Sequence, residues 1–414
     1  MKNGAWKFLP LFLLYLFMVV MFSSTTFRGD EGGYVGMASR LSQGYYSPIN
    51  VIKLWWGPGY PIVLIPFAYL KLPWLAAKSI NAVFLFGAIL YLYKTLALWI
   101  REPYALIFAY LLGLYPPFWK EVYLLLTESL VFFLICGFMF HFCKSCRETK
   151  RPRFHLLVAS IFLGYLALTK VFFGYVILVG LLSFLSLYLW RKKEYFKKTT
   201  FIYLLALIWC LPYLLYTYSV TGKIFYWGTS GGSSLYWMST PYENEWGSWF
   251  SPKAVLEDPN LAQHRAFFDK IAGLSEVEQD SEFKKEAVYN ITYHPTKYLV
   301  NWIANIGRLL FSFPYSYRQE RPTTYFYLVP NMFIVVLFVL SIYPAILRRK
   351  AIPYEIYALL YFSLITFAGT SLLSAYDRQF RPLVPILFLW LSFLYVRVMK
   401  IEVRPEPEIK LLDA

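Results

Sequence analysis

Asp30 and Glu31 are adjacent carboxylates that follow an apolar run, Phe8 to Phe22, in an otherwise sparsely charged chain. A carboxylate at the edge of a low-dielectric wall can have a raised pKa and act as a general base. The alternative from position alone is a solvated loop pair. Glu128 lies within a second apolar run, Tyr123 to Phe142. An acid there is costly, unless its place near a span end lets it reach the interface. Lys170 interrupts two apolar stretches, and Asp377-Arg378-Gln379-Phe380-Arg381 forms a compact charged knot before Pro382. Arginine suits bidentate phosphate recognition, with a local Arg378–Asp377 contact as the competing reading. Arg28, Arg40, Lys53, Lys71 and Lys78 fall in or beside the first polar loop. They would serve a phosphate-bearing lipid, or simply snorkel at an interface.

The elements that must hold these residues follow from composition. The chain has 414 residues, 58% hydrophobic and 21% aromatic, with a mean hydropathy of +0.47. Only 15% are charged, against roughly 25% in soluble domains. The apolar residues come in long blocks with short basic punctuation, the pattern of repeated membrane spans. The net charge of +16 is not a nucleic-acid signal. Residues 220–324 hold 10 basic and 11 acidic side chains, while the rest holds 30 and 13, clustered beside apolar blocks. Such clusters orient a chain in a membrane.

Ten spans are predicted: an uncleaved first span over 8–22, then 76–98, 104–118, 123–142, 154–169, 171–190, 199–219, 325–347, 354–374 and 382–399. Threading them alternately puts Lys144–Arg153, Arg191–Lys198, Arg348–Lys350 and Arg397–Lys400 on the cytoplasmic side, as the positive-inside rule asks. The expected fold is an all-α polytopic membrane protein with about ten transmembrane helices and a mixed, mainly helical external loop domain. The expected units are an N-terminal transmembrane module over 1–219, with its first external loop at 24–75. A loop domain over 220–324, C-terminal helices over 325–399 and a cytoplasmic tail over 400–414 follow. The apolar stretch after Gly57-Pro58-Gly59-Tyr60-Pro61, ending at Leu72, is too short to span. It reads as an interfacial or re-entrant helix.

The loop domain opens on Phe225, Tyr226, Trp227, Tyr236, Trp237, Tyr242, Trp246 and Trp249, which could stack on sugars or form an interfacial belt. Lys253 to Tyr293 is charged and looks helical. Cys143-Lys-Ser-Cys146 with His141 and His155 is read as ordinary boundary residues, since zinc normally needs four fixed ligands. Cys136 and Cys210 complete the four cysteines, and none is placed outside, so no external disulfide framework is implied. Asn290-Ile-Thr292 is a sequon that matters only in a eukaryotic secretory compartment. No GxxxxGK[ST] or HExxH motif occurs. No large cytoplasmic segment is left to bind a nucleotide, so an external enzyme would draw its activated group from a lipid-linked donor.

Five segments in order then resemble the GT-C superfamily of membrane glycosyltransferases. Within it they are most similar to the group of dolichyl-phosphate-mannose–protein mannosyltransferases and bacterial aminoarabinose transferases. They are Arg28-Gly-Asp30-Glu31-Gly-Gly-Tyr34 running on to Gly44, Gly57-Pro58-Gly59-Tyr60-Pro61, Leu126-Thr127-Glu128, Leu166-Ala-Leu168-Thr169-Lys170 and Arg378-Gln-Phe380-Arg381-Pro382-Leu-Val-Pro385. Val171 replaces an expected proline, and Arg381 sits one place off the usual second arginine.

The resemblance implies transfer of a monosaccharide from a polyprenyl-phosphate donor on the outer face of the cytoplasmic membrane. Asp30 would be the essential base, paired with Glu31. Arg378, Lys170 and Arg381 would face the donor phosphate, with Glu128, Arg28 and Tyr60 in support. No cofactor is required, although Mg²⁺ or Mn²⁺ on Asp30 or Glu31 would suit hard oxygen ligands. The expected partners are the lipid-linked donor, membrane lipids and a glycan, lipid or protein acceptor, with no nucleic acid. Three competing readings are a flippase for a lipid-linked saccharide, an envelope polysaccharide polymerase or ligase, and a non-catalytic scaffold. A transporter would need polar breaks deep in its spans and two related halves, which this chain lacks.

Overall fold

The computed structural model describes residues 4–48, 51–147, 150–318 and 322–399. It is 77% helical, with no strand among the described residues. The tail after Met399 lies outside them. Helices α1 (Leu9–Phe22), α4 (Trp74–Leu96), α7 (Glu128–Arg147), α8 (Pro152–Thr169), α9 (Phe172–Arg191), α10 (Glu194–Thr221) and α16 (Tyr325–Leu347) are each long and apolar, counting the single turn before α1. So is the final run Asp377–Val398, which includes α18 (Val384–Phe393). These eight segments can cross a membrane. The protein is a multi-pass membrane protein.

Two further expected spans form shorter helices. The run 104–118 becomes α5 (Glu102–Gly113) and a separate short α6 (Pro117–Glu121), because Pro116-Pro117 cannot continue a hydrogen-bonded helix. The run 354–374 becomes α17 (Tyr354–Ser371), an 18-residue helix with Glu355 in its first turn. α3 (Gly59–Tyr69) is the short apolar helix expected after the glycine-proline segment.

The best-buried of the long helices are α7 and the last segment, at 78% and 83%, whereas only 17% of α16 is buried. The first two form the centre of the bundle, and α16 presents its apolar face outward. The helix directions sort the chain's two ends. α7 runs from Glu128 to Arg147, α8 returns to Lys170, and α9 leaves again for Arg191. One end thus collects the motif residues and the other the basic turns.

Between α10 and α16 lies a second, smaller core. Helices α11 (Ser230–Met238), α12 (Pro252–Glu257), α13 (Arg265–Ile271) and α14 (Glu276–Tyr293) build it, and α15 (Pro295–Phe311) leads back to the main core through Leu309. Tyr236, Trp237, Leu261, Phe268 and Phe283 fill it. α14 starts at a capping box in which Ser275 and Glu278 satisfy each other's backbone groups. The aromatic stretch thereby divides. Trp227 and Trp237 are core residues, Trp246 is exposed beneath Lys297, and Trp249 is half-buried facing a cavity.

Close backbone approach explains the glycine-proline segment. A Cβ on Gly57 would stand 2.1 Å from the Leu168 carbonyl oxygen, and one on Gly59 would stand 2.7 Å from the Thr169 nitrogen. Tyr165 donates to the Gly59 carbonyl at 2.8 Å. The second and fourth motifs are therefore one contact, which seats α3 (Gly59–Tyr69) on the α8–α9 elbow. The Gly57→Ala variant should lower the melting temperature or fail to fold, costing about 1–3 kcal/mol or more, because backbone cannot yield as a side chain does. Gly273→Ala, with open space around it, should change stability by less than about 0.5 kcal/mol. Thermal unfolding of the two purified variants checks the contrast.

Candidate active site

Asp30 and Glu31 face different surroundings. α2 (Glu31–Ser42) begins between them, and the turn into it sends the two carboxylates apart. Glu31 is fully buried. One of its oxygens accepts the Arg28 backbone N–H at 2.8 Å and the other accepts the Leu125 backbone N–H at 2.8 Å. The buried Lys78 ammonium lies 3.4 Å away and also donates to the Ser24 carbonyl at 3.0 Å. Asp30 is part-exposed and accepts a hydrogen bond from Arg378 at 2.8 Å. Only Asp30 has a face open to a substrate.

A second acid–base pair stands beside this one. Lys170, at the end of α8, donates to Glu128 at 2.9 Å, and Thr127 donates to the other Glu128 oxygen at 3.3 Å. Glu128 and Arg378 are near enough for their charges to act on each other, and Tyr34 feels both. Glu128 is the first residue of α7, not an acid deep within a span, because Leu124 to Thr127 is not helical. That non-helical stretch is pinned by Asn81, which donates to the Val122 carbonyl at 3.3 Å and the Leu124 carbonyl at 2.6 Å. The Asn81 oxygen in turn accepts from Tyr60 at 3.2 Å. Tyr34 and Tyr60 pack edge to face as the buried wall under the site. Burial raises the Tyr34 hydroxyl well above its ordinary pKa, so it remains a neutral wall.

Three expected site residues fall elsewhere. Arg381 is buried, and its guanidinium bonds to Glu121 and Asp377. Buried and held by two carboxylates, it braces the turn instead of facing the site. Glu31 is enclosed as described. Arg28 is exposed and contributes its backbone N–H through the bond to Glu31. Conversely, Asn81 was not singled out from sequence, and Lys78 was read only as a basic group for a phosphate-bearing lipid or as a snorkelling residue. A lysine and an asparagine in the first turns of an apolar span were the available signal.

A divalent ion does not fit the carboxylate pair. Glu31 gives its oxygens to backbone N–H groups and a lysine, while Asp30 faces a guanidinium. Among the described residues no three His, Cys, Asp or Glu side chains gather as ligands. His141 and His155 meet nitrogen to nitrogen at 2.9 Å, and all four cysteines are free.

Above Asp30 is a cavity of about 500 Å³ between α2 and the helices of the smaller core. Trp55, Trp249, Glu276 and Gln279 are among its walls, and Arg378 is not. The backbone N–H of Thr229 donates to the Leu54 carbonyl at 3.1 Å, which clamps the tryptophan segment to the chain leading into the smaller core.

Two measurements test this reading. Lys78→Met leaves the Glu31 charge buried and uncompensated, and should cost ~3–5 kcal/mol in thermal unfolding. Glu31→Gln in the same chain should recover much of that loss. Burial pushes the Glu121 carboxyl up to about 7 against the pull of Arg381, and its second oxygen has no partner among the described residues. A carboxyl raised on folding stabilises fully below its unfolded value of 4.5 and loses that contribution as pH rises through about 7. The melting temperature of Glu121→Gln, relative to the wild type, should therefore climb between those two pH values. A constant difference would mean that Glu121 is ionised throughout.

No protein-family model and no curated protein matches the sequence. Solved structures do match in fold. The oligosaccharyltransferase of Archaeoglobus fulgidus in its apo form is 14% identical with a TM-score of 0.52, over 94% of this chain and 50% of that one. The archaeal oligosaccharyltransferase AglB from the same organism, in complex with an inhibitory peptide and a dolichol-phosphate, is 13% identical with a TM-score of 0.51, over the same shares. ArnT from Cupriavidus metallidurans bound to undecaprenyl phosphate is 12% identical with a TM-score of 0.44, over 93% of this chain and 77% of that one. The chain spans about half the length of the archaeal enzyme it matches. It has the fold of the GT-C membrane glycosyltransferases.

Proposed function

We propose that the protein transfers a sugar from a polyprenyl-phosphate carrier to an acceptor hydroxyl at the non-cytoplasmic face of the membrane, with Asp30 as general base. The observation that carries this reading is the 2.8 Å hydrogen bond from Arg378 to Asp30, a residue that lines the cavity. A guanidinium has five N–H donors, and this contact takes one. The others can hold a phosphate beside the base.

The reaction balances without a general acid. The acceptor oxygen forms a bond to the sugar's C1 and loses its proton to Asp30. The C1–O bond to phosphate breaks, and the electron pair leaves with a phosphate that gains one negative charge. Positive charge at that oxygen is the stabilisation required, and Arg378 supplies it. One displacement on one face inverts the anomeric centre. Lys170, close by on Glu128, adds charge on the same side. Glu31 is a positioning residue, and Arg381 shapes the turn that carries Arg378. The fold supports a carrier-dependent transfer, because the archaeal enzyme of the same fold is solved with a dolichol-phosphate. The basic turns at the far ends of α7, α9 and α16 support placing the site outside the cytoplasm.

The test uses the purified protein, a panel of polyprenyl-phosphate monosaccharides with one oligosaccharide donor, and envelope extracts as acceptors. Wild type should release polyprenyl phosphate as sugar appears on an acceptor. Asp30→Asn should lose about 10²-fold or more of that turnover. Equal turnover in both proteins sinks the assignment of the base. Transfer from the oligosaccharide donor alone would replace monosaccharide transfer with transfer of an assembled glycan.

A further inference from the structure

The cavity is deeper than the chemistry at Asp30 requires, and what lines the excess is specific. It follows α2 from Asp30 to Arg40. Ten residues of helix rise about 15 Å, longer than one sugar ring at the reacting carbon needs. Asp30 lines this space and Arg378, its hydrogen-bond partner, does not. If the leaving phosphate lies on Arg378, the group that gives its proton to Asp30 comes from the cavity side. The space beyond Asp30 therefore belongs to the acceptor.

We propose that the acceptor is itself a saccharide, with a sugar ring packed on the angled indoles of Trp55 and Trp249 and its hydroxyls on Glu276 and Gln279. This deepens the reading above and rests on it. The two indole rings are 6.0 Å apart, tilted by 59°. Trp249 is fixed before any ligand arrives: its indole N–H donates to Ser233 at 3.0 Å and its carbonyl accepts from Tyr376 at 3.0 Å. A sugar presents C–H faces to such rings and hydroxyls around its rim. The rim groups are at hand. Glu276 uses one oxygen to accept from Thr229 at 3.1 Å, and Gln279 uses its amide N–H toward the Leu274 carbonyl at 2.9 Å. The second Glu276 oxygen and the Gln279 carbonyl are left to face hydroxyl donors.

The other acceptor classes fit less well. An acyl chain would cover Asp30, Arg40, Lys53 and Glu276 in the lining, at the cost of desolvating each. A peptide bound by strand addition would need an exposed sheet edge, and the described residues contain no strand. A peptide laid in an aromatic-lined groove is the competing occupant, which tripeptides test.

The experiment measures binding to the full-length protein in nanodiscs by tryptophan fluorescence, with soluble saccharides of one, two and three rings as probes. Maltose, cellobiose, chitobiose and lactose series, together with the sialylated lactose, form the panel, and tripeptides form the comparison set. At least one series should bind saturably, and affinity should rise from one ring to three. Trp249→Ala and the conservative Glu276→Gln should each weaken that binding about tenfold or more, as truncation of a buried anchor does. Both should keep the wild-type thermal stabilisation by undecaprenyl phosphate, which separates a lost subsite from a lost fold. Binding by peptides in competition at Trp249, equal binding of one and three rings, or no binding by any saccharide overturns the proposal. Arg378→Ala should lose the undecaprenyl-phosphate stabilisation while keeping the saccharide. If undecaprenyl phosphate fails to stabilise the wild type, the carrier-dependent reading fails separately, with the saccharide result standing on its own.

Discussion

A carboxylate that is cut off from water must find its compensation inside the protein, and Glu31 does so by tying three separate segments together. It holds the chain before α2 through the Arg28 N–H, the turn before α7 through the Leu125 N–H, and α4 through Lys78. None of these contacts is interchangeable. An ion pair in a dry site barely offsets its own desolvation, so the pair gives position more than net stability. Position is what the site needs. With Glu31 locked, the first turn of α2 is locked, and Asp30 is aimed the other way, at Arg378. The same turn before α7 is held from below by Asn81, and that sets where Glu128 can meet Lys170. Two acid–base pairs from four distant parts of the chain become neighbours because one carboxylate refuses to be left unpaired.

Much of this was legible in the sequence for a simple reason. Motifs that act through local geometry carry their own explanation. The glycines of Gly57-Pro58-Gly59 mark a close approach, the apolar blocks mark spans, and an acid beside an apolar run marks chemistry. The identity of the surface approached was not legible. Leu168 is more than a hundred residues away, and nothing in either motif names the other. The division of labour between Asp30 and Glu31 was hidden for a related reason. Adjacent residues at the start of a helix point in different directions, and which one turns inward depends on what packs there. The last charged knot shows the same limit. Arg378 and Arg381 are three residues apart with similar neighbours, yet one reaches Asp30 and the other is sealed beneath it with Glu121 and Asp377. Lys78 resembles a snorkelling residue until its partner, 47 positions earlier, is in place.

The spans differ from expectation where proline or a polar anchor competes with hydrophobicity. Pro116-Pro117 ends α5 after 12 residues although the apolar run continues. Asn81 takes two carbonyls that a longer α7 would have used, so that helix begins at Glu128. In both cases backbone hydrogen bonding overrides composition. The consequence is functional. A helix that started at Tyr123 would carry Glu128 into its second turn, away from the elbow where Lys170 waits.

Seen as charges, the site has a further logic. Asp30, Glu128, Arg378 and Lys170 sum to zero before any donor binds, which is the least costly state at a membrane edge. On the proposed reaction, the leaving phosphate gains a negative charge at the step in which Asp30 loses one by accepting the acceptor's proton. Arg378 touches Asp30 and can reach a phosphate beside it, so its pairing passes from the carboxylate to the leaving group without moving far. The total charge around the guanidinium stays constant through the transition state. A base held by a carboxylate–lysine pair would lack that exchange, because its partner would lie away from the departing oxygen. The 2.8 Å contact between Arg378 and Asp30 is therefore what a resting state should look like when base and leaving group are to share one cation.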